Sequence, residues 1–277
     1  MKIAAWLLLA VHALALTLGL YGILVAIPHP ETWASAPGAA QFYAFAVNKT
    51  GGTGMFLGAL AMLAFGLAAI GARRTLLFFL ASFVLSAAAE LTGTKTGWPF
   101  GGYEYTDFLG YKLLARVPVA VPLSWFYMGF ASFLLADAIV VARGWQNRTF
   151  CSVVLGAYLL TAWDLVLDPS MAAPQMQYVH FWIWHEHGPY FGMPLRNLAG
   201  WFGTGLIFMA AGRALWREPH PPTAPVLFPF ALYAINIVWS MILSVNAGMW
   251  PTAVAAIVFS LAPAALALAP PRRTRFA

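Results

Sequence analysis

Long runs without charge alternate with short charged segments along this chain. No Lys, Arg, Asp or Glu occurs within 3–30, 50–72 or 219–271, and further apolar runs hold a single acid each. A helix that crosses a membrane needs about 20 mostly apolar residues. We therefore predict an all-α fold, a polytopic membrane helix bundle of about eight transmembrane helices, with seven as the alternative. The predicted spans are 4–27, 52–72, 75–93, 118–142, 150–167, 198–215, 225–245 and 251–269.

The basic residues predict the orientation of this bundle. With a cytoplasmic N-terminus, ten Lys and Arg residues fall in cytoplasmic segments and five in outer loops, as the positive-inside rule requires. Both termini are then cytoplasmic, and the protein lies in the cell membrane. The long loops, at about 28–51, 94–117 and 168–197, fall outside. Because long loops that are not disordered are usually functional, we expect the active site towards the non-cytoplasmic face.

The composition excludes several classes of protein. Hydrophobic residues make up 61% of the chain and charged residues 9%, whereas a typical soluble domain is about 25% charged. The net charge of +6 follows from the orientation of the spans, so we expect no nucleic-acid partner. One cysteine, Cys151, excludes an internal disulfide framework. No repeat or compositional boundary divides the chain, and we predict one integral membrane domain over 1–277.

Three acids, Glu90, Asp137 and Asp164, fall inside predicted spans. An ionisable group at mid-membrane costs about 2.5–3.5 kcal/mol on insertion scales and is a candidate functional residue. Glu90 and Asp164 each follow a cytoplasmic-side arginine by 16 residues, about 24 Å along a helix. We therefore predict that these two carboxyls share a pocket just below the outer interface. Asp137 lies near the cytoplasmic side, where we expect a structural pairing with Arg143 or another polar contact.

A pair of buried carboxyls suits acid–base chemistry. Burial and a neighbouring like charge hold one member protonated while the other is ionised, so one can donate a proton while the other activates water. The alternative for Glu90 and Asp164 is that each snorkels or pairs at a helix end. Asp168 lies one helical turn after Asp164 and could share its face. Pro169 disfavours helix at Asp168, so the alternative is that Asp168 caps the span.

Two loops carry other candidate chemistry. His180, His185 and His187 lie close together with Glu186, but their spacing matches neither HExxH nor the repeated histidine boxes of membrane di-iron enzymes, and we expect no metal. Residues 90–107 contain no Walker A sequence. Aromatic residues of this loop are predicted to fold back and wall a hydrophobic slot, with an interfacial aromatic belt as the alternative. These residues are Trp98, Phe100, Tyr103 and Tyr105.

Residues 90–105 (ELTGTKTGWPFGGYEY) resemble the signature loop of the membrane carotenoid biosynthesis protein family. That family includes the CruF-type carotenoid 1',2'-hydratases and the bisanhydrobacterioruberin hydratases. Further similar stretches are 117–125 (VPVAVPLSW), 162–171 (AWDLVLDPSM), 188–197 (GPYFGMPLRN) and 200–201 (GW). Together they cover roughly the third to the sixth predicted span.

The resemblance implies cofactor-free addition of water to the terminal 1',2' double bond of an acyclic or monocyclic carotene, of lycopene or γ-carotene type. The implied partners are a carotene dissolved in the bilayer, the lipid membrane and other enzymes of the carotenoid pathway. A carotene is a long apolar molecule whose end can reach the membrane interface, and this is the depth at which the two carboxyls are predicted. The alternatives are a metal-dependent membrane lipid oxygenase or desaturase, and a non-enzymatic carotenoid-binding or transport protein.

The catalytic roles are our own hypothesis. Glu90 donates a proton to C2' and Asp164 deprotonates the attacking water, with the reverse assignment left open. Asp168 or Asn197 assists in orienting that water. Aromatic faces stabilise the tertiary cation by cation–π attraction. The predicted substrate-binding residues are Trp98, Tyr103, Tyr105, Trp125, Trp163, Asn197 and Trp201.

Overall fold

The computed structural model describes residues 2–46, 52–218 and 221–269. Ten α-helices follow one another in the described residues. They are α1 (Lys2–Tyr21), α2 (Ala39–Phe45), α3 (Thr53–Ala69), α4 (Ala72–Thr96), α5 (Ala120–Ala142), α6 (Arg148–Ala172), α7 (Leu195–Leu215), α8 (Leu227–Asn246), α9 (Trp250–Ala256) and α10 (Ala262–Ala265). A π-helical turn, Gly22–Ala26, extends α1, and another, Ile257–Leu261, joins α9 to α10.

Seven helical stretches of the described residues are long and apolar enough to cross a membrane. The prediction of an all-α polytopic bundle is therefore confirmed, and the helix lengths favour the alternative count of seven. The second predicted span is the shorter helix α3, whose 17 residues extend about 25 Å. That length falls short of a hydrocarbon core of about 30 Å. The seven stretches are Lys2–Ala26, α4, α5, α6, α7, α8 and Trp250–Leu268.

Helix α5 forms the centre of the bundle. It is apolar on all sides and buried along almost its whole length, as expected of a helix surrounded by others. It packs against α3, α4, α6 and α8. Small residues permit close helix approach in membranes. A Cβ at Gly156 of α6, for example, would lie 3.1 Å from the Cα of Phe133 in α5.

One end of the bundle gathers residues that were predicted to be cytoplasmic. Arg74 at the start of α4 pairs with Glu218 after α7, at 2.6 Å. At the α5–α6 hairpin, Arg148 donates to both carboxylate oxygens of Asp137 at 2.8 and 2.6 Å. The predicted structural pairing of Asp137 thus exists, but its partner is Arg148 rather than Arg143. The hairpin brings the first turn of α6 against the last turns of α5, and this selects Arg148.

The orientation across the membrane stays a prediction, as does the assignment of the whole chain to one domain. The positive-inside count also includes residues that lie outside the described part of the chain. These are Lys49, Arg272, Arg273 and Arg275.

At the opposite end, the two loops after α4 and α6 pair as short antiparallel strands. Strand β1 (Tyr103–Tyr105) pairs with β4 (Trp182–Trp184), while β2 (Lys112–Leu113) pairs with β3 (Val117–Pro118). Alternate residues of a strand share one face. Glu104 and Ile183, the middle residues of β1 and β4, are exposed, so their neighbours point towards the bundle. We call the β1–β4 pair the lid.

Candidate functional site

A small cavity of about 40 Å³ lies under the lid, lined by residues of α3 to α7. Half of its lining residues are aromatic, and its polar groups are few. The aromatic lining residues are Phe100, Tyr103, Tyr105, Trp125, Trp163, Trp182, Trp184 and Trp201. Besides the Tyr103 and Tyr105 hydroxyls, the carboxyl, hydroxyl and amide groups come from Glu90, Ser124, Asp168 and Asn197. A mostly apolar cavity with a few convergent polar groups is the usual form of a site for an apolar small molecule.

Glu90 lies near the end of α4 and is 4% exposed. Its Oε2 accepts hydrogen bonds from the hydroxyls of Tyr103 and Tyr105, the latter at 2.9 Å. Its Oε1 accepts one from Trp125 Nε1 at 2.8 Å. No ion pair to Glu90 occurs among the described residues. The carboxyl is therefore held by three neutral donors, and the alternative of a snorkelling or ion-paired Glu90 is wrong.

Gly93, one turn after Glu90, allows the lid to reach the carboxyl. A Cβ at this position would lie 2.8 Å from the Phe100 ring and 3.1 Å from the Tyr103 hydroxyl. The Phe100 ring would have to move, and the Tyr103 hydroxyl that binds Glu90 would be crowded. The small residue within the 90–105 motif is thus explained by the close approach of the loop to its own helix.

Helix α6 continues through Pro169 to Ala172. The alternative that Asp168 caps the span is therefore wrong. Proline has no N–H to bond the carbonyl four residues earlier, which is that of Leu165. The Tyr190 hydroxyl donates to this carbonyl at 2.8 Å. The loop after α6 thus satisfies the group that Pro169 leaves open, and Asp168 stays helical one turn above Asp164.

Asn197 in the first turn of α7 joins these two aspartates. Its Nδ2 donates to Asp164 Oδ2 at 2.7 Å and also to Asp168 Oδ2. Asp168 Oδ1 accepts from Trp182 Nε1 at 2.8 Å. Asp164 Oδ1 is buried without a partner among the described residues. Two carboxyls held on one amide nitrogen are close enough that both cannot be charged at low cost, so a shared proton is favoured.

The structure changes which acids face each other. Glu90 and Asp168 both line the pocket, whereas Asp164 is absent from its lining and lies behind Asp168. The predicted sharing of one pocket by Glu90 and Asp164 is corrected accordingly. The depth argument treated α6 as ending near 167, and the added turn beyond that point carries the carboxyl that reaches the pocket.

All but one of the other predicted binding residues line the pocket. Tyr103, Tyr105, Trp125, Trp163, Asn197 and Trp201 all line the pocket. Trp98 does not, and it is 71% exposed, so the prediction that it walls the slot is wrong. The rings of Trp125 and Trp201 stack at 4.2 Å, and Trp163 meets Trp201 edge-on at 5.8 Å. The catalytic and binding roles of these residues stay predictions.

Sequence reasoning missed Trp182 and Trp184, which line the pocket from β4. The signal was the alternation of WIW at 182–184 with YEY at 103–105, since two alternating segments can pair with their aromatic faces on one side. The pairing brings Tyr105 opposite Trp182 and Tyr103 opposite Trp184.

The histidines of the 180–187 segment flank strand β4 of the lid, with His180 before the strand and His185 and His187 after it. His180 Nε2 lies 3.2 Å from the carbonyl of Ala173, and His185 Nε2 lies 3.9 Å from the Glu104 carboxylate. In the part of the chain that the structure describes, no group of three or more His, Cys, Asp or Glu side chains could hold a metal ion.

Electrostatic conditions in the lid favour neutral tyrosines. Burial, followed by the charge of Glu90, raises the pKa of both Tyr103 and Tyr105 well above the usual value. Both phenols therefore keep their protons and act as donors to Glu90. On the outer side of the lid, the backbone N–H of Gly102 and then the Arg196 guanidinium lower the pKa of Glu186.

Comparisons with known proteins identify the family of this chain. Bisanhydrobacterioruberin hydratase from Haloarcula japonica is 33% identical over 135 residues, which are 49% of this chain and 43% of the relative. The matched segment thus spans less than half of the relative's length. No solved structure gives a significant match. Residues 50–263 match the family described as carotenoid biosynthesis protein. This match includes every residue that lines the pocket. Because it also covers well over half of the chain, the chain belongs to the carotenoid biosynthesis protein family.

Proposed function

We propose that this protein is a hydro-lyase that adds water across the terminal 1',2' double bond of an acyclic or monocyclic carotene, without a cofactor. The observation that carries the proposal is a pair of buried carboxyls, Glu90 and Asp168, that line one aromatic pocket with only neutral donors around them. The relative from Haloarcula japonica is named a hydratase, which supports this class of reaction.

The substrate determines where such a site must lie. A carotene of lycopene or γ-carotene type is an apolar rod that dissolves only in the bilayer, while water is available only near the interface. A pocket at the end of the helices, closed by a polar-edged lid, meets both requirements. We propose that this end faces the non-cytoplasmic side of the cell membrane, in keeping with the distribution of basic residues.

Glu90 acts as the general acid in this proposal. Its protonated carboxyl transfers a proton to C2' of the end group, and the π electrons form the new C2'–H bond. Positive charge develops at C1', which is tertiary. Positioned proton transfer of this kind contributes typically 10²–10⁴-fold to a rate. Hydrogen bonds from Tyr103, Tyr105 and Trp125 hold the carboxyl in place and stabilise the carboxylate that remains after the proton is transferred.

The aromatic walls stabilise the cation. The stacked pair Trp125 and Trp201, with Trp163 at its edge, offers π faces to an end group held in the pocket. A desolvated cation–π contact contributes about 2 kcal/mol or more.

Asp168 acts as the general base. Its carboxylate takes a proton from the water that attacks C1', and the product is a tertiary alcohol. Asn197 and Trp182 hold the two oxygens of Asp168 in place. Asp164 lies behind and shares the Asn197 amide. We therefore assign the water-activating role to Asp168, with Asp164 as a positioning residue.

Expression in a lycopene-producing bacterium tests this proposal. We expect a carotenoid heavier by one water, with oxygen from labelled water and not from labelled O2, and with activity retained after exhaustive chelation. Label from O2 would identify an oxygenase, and a product lighter by two hydrogens would identify a desaturase. Bound carotene of unchanged mass would identify a carotenoid-binding or transport protein. Either result would overturn the hydratase.

A further inference from the structure

Repeated hydration requires the protonation states of the two carboxyls to be reset between turnovers, and this requirement rests on the proposed function. Each addition takes a proton from Glu90 and leaves one on Asp168. After one turnover Asp168 is therefore protonated and Glu90 is ionised, which is the reverse of the state needed to start. Before the next carotene can react, Asp168 must lose that proton and Glu90 must regain one.

Tyr105 is placed between these two sites by its contacts. Its hydroxyl donates to Glu90 Oε2 at 2.9 Å. Its ring lies 5.8 Å from that of Trp182, whose indole N–H donates to Asp168 at 2.8 Å. All of these residues line the same pocket. Tyr105 therefore touches one carboxyl directly and the immediate donor of the other.

We propose that the Tyr105 hydroxyl returns the proton from Asp168 to Glu90 after each turnover, through one water in the pocket. The phenol gives its own proton to the Glu90 carboxylate and accepts one from the water. That water takes the proton of Asp168 in the same transfer. Every O–H bond broken is matched by one formed, so Tyr105 and the water end unchanged. No oxidant, reductant or cofactor is needed.

Tyr103 provides a comparison within the same strand. It donates to the same oxygen of Glu90, but its ring packs against Phe100 and Trp184. The charge of Asp168 contributes to the raised pKa of Tyr105, whereas the charges acting on Tyr103 are those of Glu90 and Tyr105. Removal of either hydroxyl deprives Glu90 of one donor, and only the removal of Tyr105 breaks the route to Asp168.

The test compares first and later turnovers of Tyr105→Phe and Tyr103→Phe. Full-length protein in liposomes is given lycopene, first with enzyme in excess and then with substrate in excess, and the hydrated product is measured by mass. Both variants should slow the first turnover by a similar factor. Later turnovers should slow by about a further tenfold or more in Tyr105→Phe alone. Added imidazole, a small proton carrier, should restore them.

An unchanged ratio of later to first turnovers in Tyr105→Phe would overturn the relay while leaving the hydratase intact. A wild-type protein that makes no hydrated product even in the first turnover would instead overturn the proposed function. If Tyr105→Phe does not insert into membranes, Tyr105→Met serves as a second variant that also lacks the hydroxyl. An equal loss in both turnovers, without imidazole rescue, would identify Tyr105 as structural.

Discussion

Two buried carboxylate regions at opposite ends of the bundle are satisfied in different ways. At one end, Asp137 forms a two-point ion pair with Arg148 and accepts a third hydrogen bond from Ser152 at 3.0 Å. At the other end, Glu90 and Asp168 accept only from hydroxyl, indole and amide donors. The first region keeps a fixed charge pair, and the second leaves its protonation free to change.

The difference separates structure from chemistry. A buried ion pair is costly to break, because the remaining charge has no partner. A buried carboxyl held by neutral donors can gain or lose a proton without leaving a strong cation unpaired. General acid–base catalysis needs this second condition. Burial of an acid in a span is therefore insufficient to identify a catalytic residue, and the charge of its partners decides the matter.

The largest expected effect is on Glu90. Glu90→Gln keeps the shape of the side chain and removes the acidic proton, so hydration should fall by about 10²–10⁴-fold. Glu104→Gln on the exposed face of the same lid is the matched control and should keep activity. Carotenoid mass in a lycopene-producing host measures both variants. Near-normal activity of Glu90→Gln would remove Glu90 from the mechanism.

The next comparison separates the two aspartates of α6. Asp168→Asn should lose about 10²-fold or more, because Asp168 lines the pocket and would face the water. Asp164→Asn should lose about tenfold, because Asp164 acts only through Asn197 and Asp168. Initial rates in liposomes measure the order. A larger loss in Asp164→Asn would restore Asp164 as the base.

Asp137→Asn should show the opposite pattern, with stability lost and chemistry kept. Arg148, whose side chain is 23% exposed, would lose its ionic partner, which costs about 3–5 kcal/mol for a buried pair. Unfolding in detergent micelles measures the loss. Replacement of both partners, Asp137→Leu with Arg148→Met, should recover much of it. A stable Asp137→Asn that cannot hydrate carotene would contradict the division between the two ends.

The smallest effect concerns the outer side of the lid. Glu186 accepts from Gly102 N–H at 3.1 Å and pairs with Arg196, and these contacts lower its pKa. Because the pKa of Glu186 is lower in the folded state, its contacts stabilise the lid fully at pH values above the usual glutamate pKa, near 4.3. This stabilisation is lost as the pH falls through the lowered pKa. The pair is exposed and contributes about 0–1 kcal/mol.

Hydrogen exchange of the β1 and β4 amides tests this contribution. Protection should decrease on acidification towards pH 3 in the wild type, with a smaller decrease in Glu186→Gln. An identical pH dependence in both proteins would assign the acid sensitivity of the lid to another group.

The sequence by itself determined the helical class of the fold and singled out the acids that lie within the helices. Apolar runs must cross the bilayer as helices, because their backbone groups have no other partners there, and a constant rise per residue converts spacing into depth. Glu90 was singled out in this way, whereas the aromatic residues were predicted from the composition of the 90–107 loop and from the family resemblance. The pairing of 103–105 with 182–184 was visible only as two alternating patterns, with nothing in either segment to say that they meet.

The tertiary structure decided which acid faces the pocket. Pro169 locally predicts a helix end, and the Tyr190 hydroxyl, from a later loop, removes that penalty by satisfying the Leu165 carbonyl. The helix therefore continues, and Asp168 rather than Asp164 reaches Glu90's side of the cavity. Local propensity counts only the hydrogen bonds a segment can make with itself, so a donor supplied from elsewhere in the chain is invisible to it.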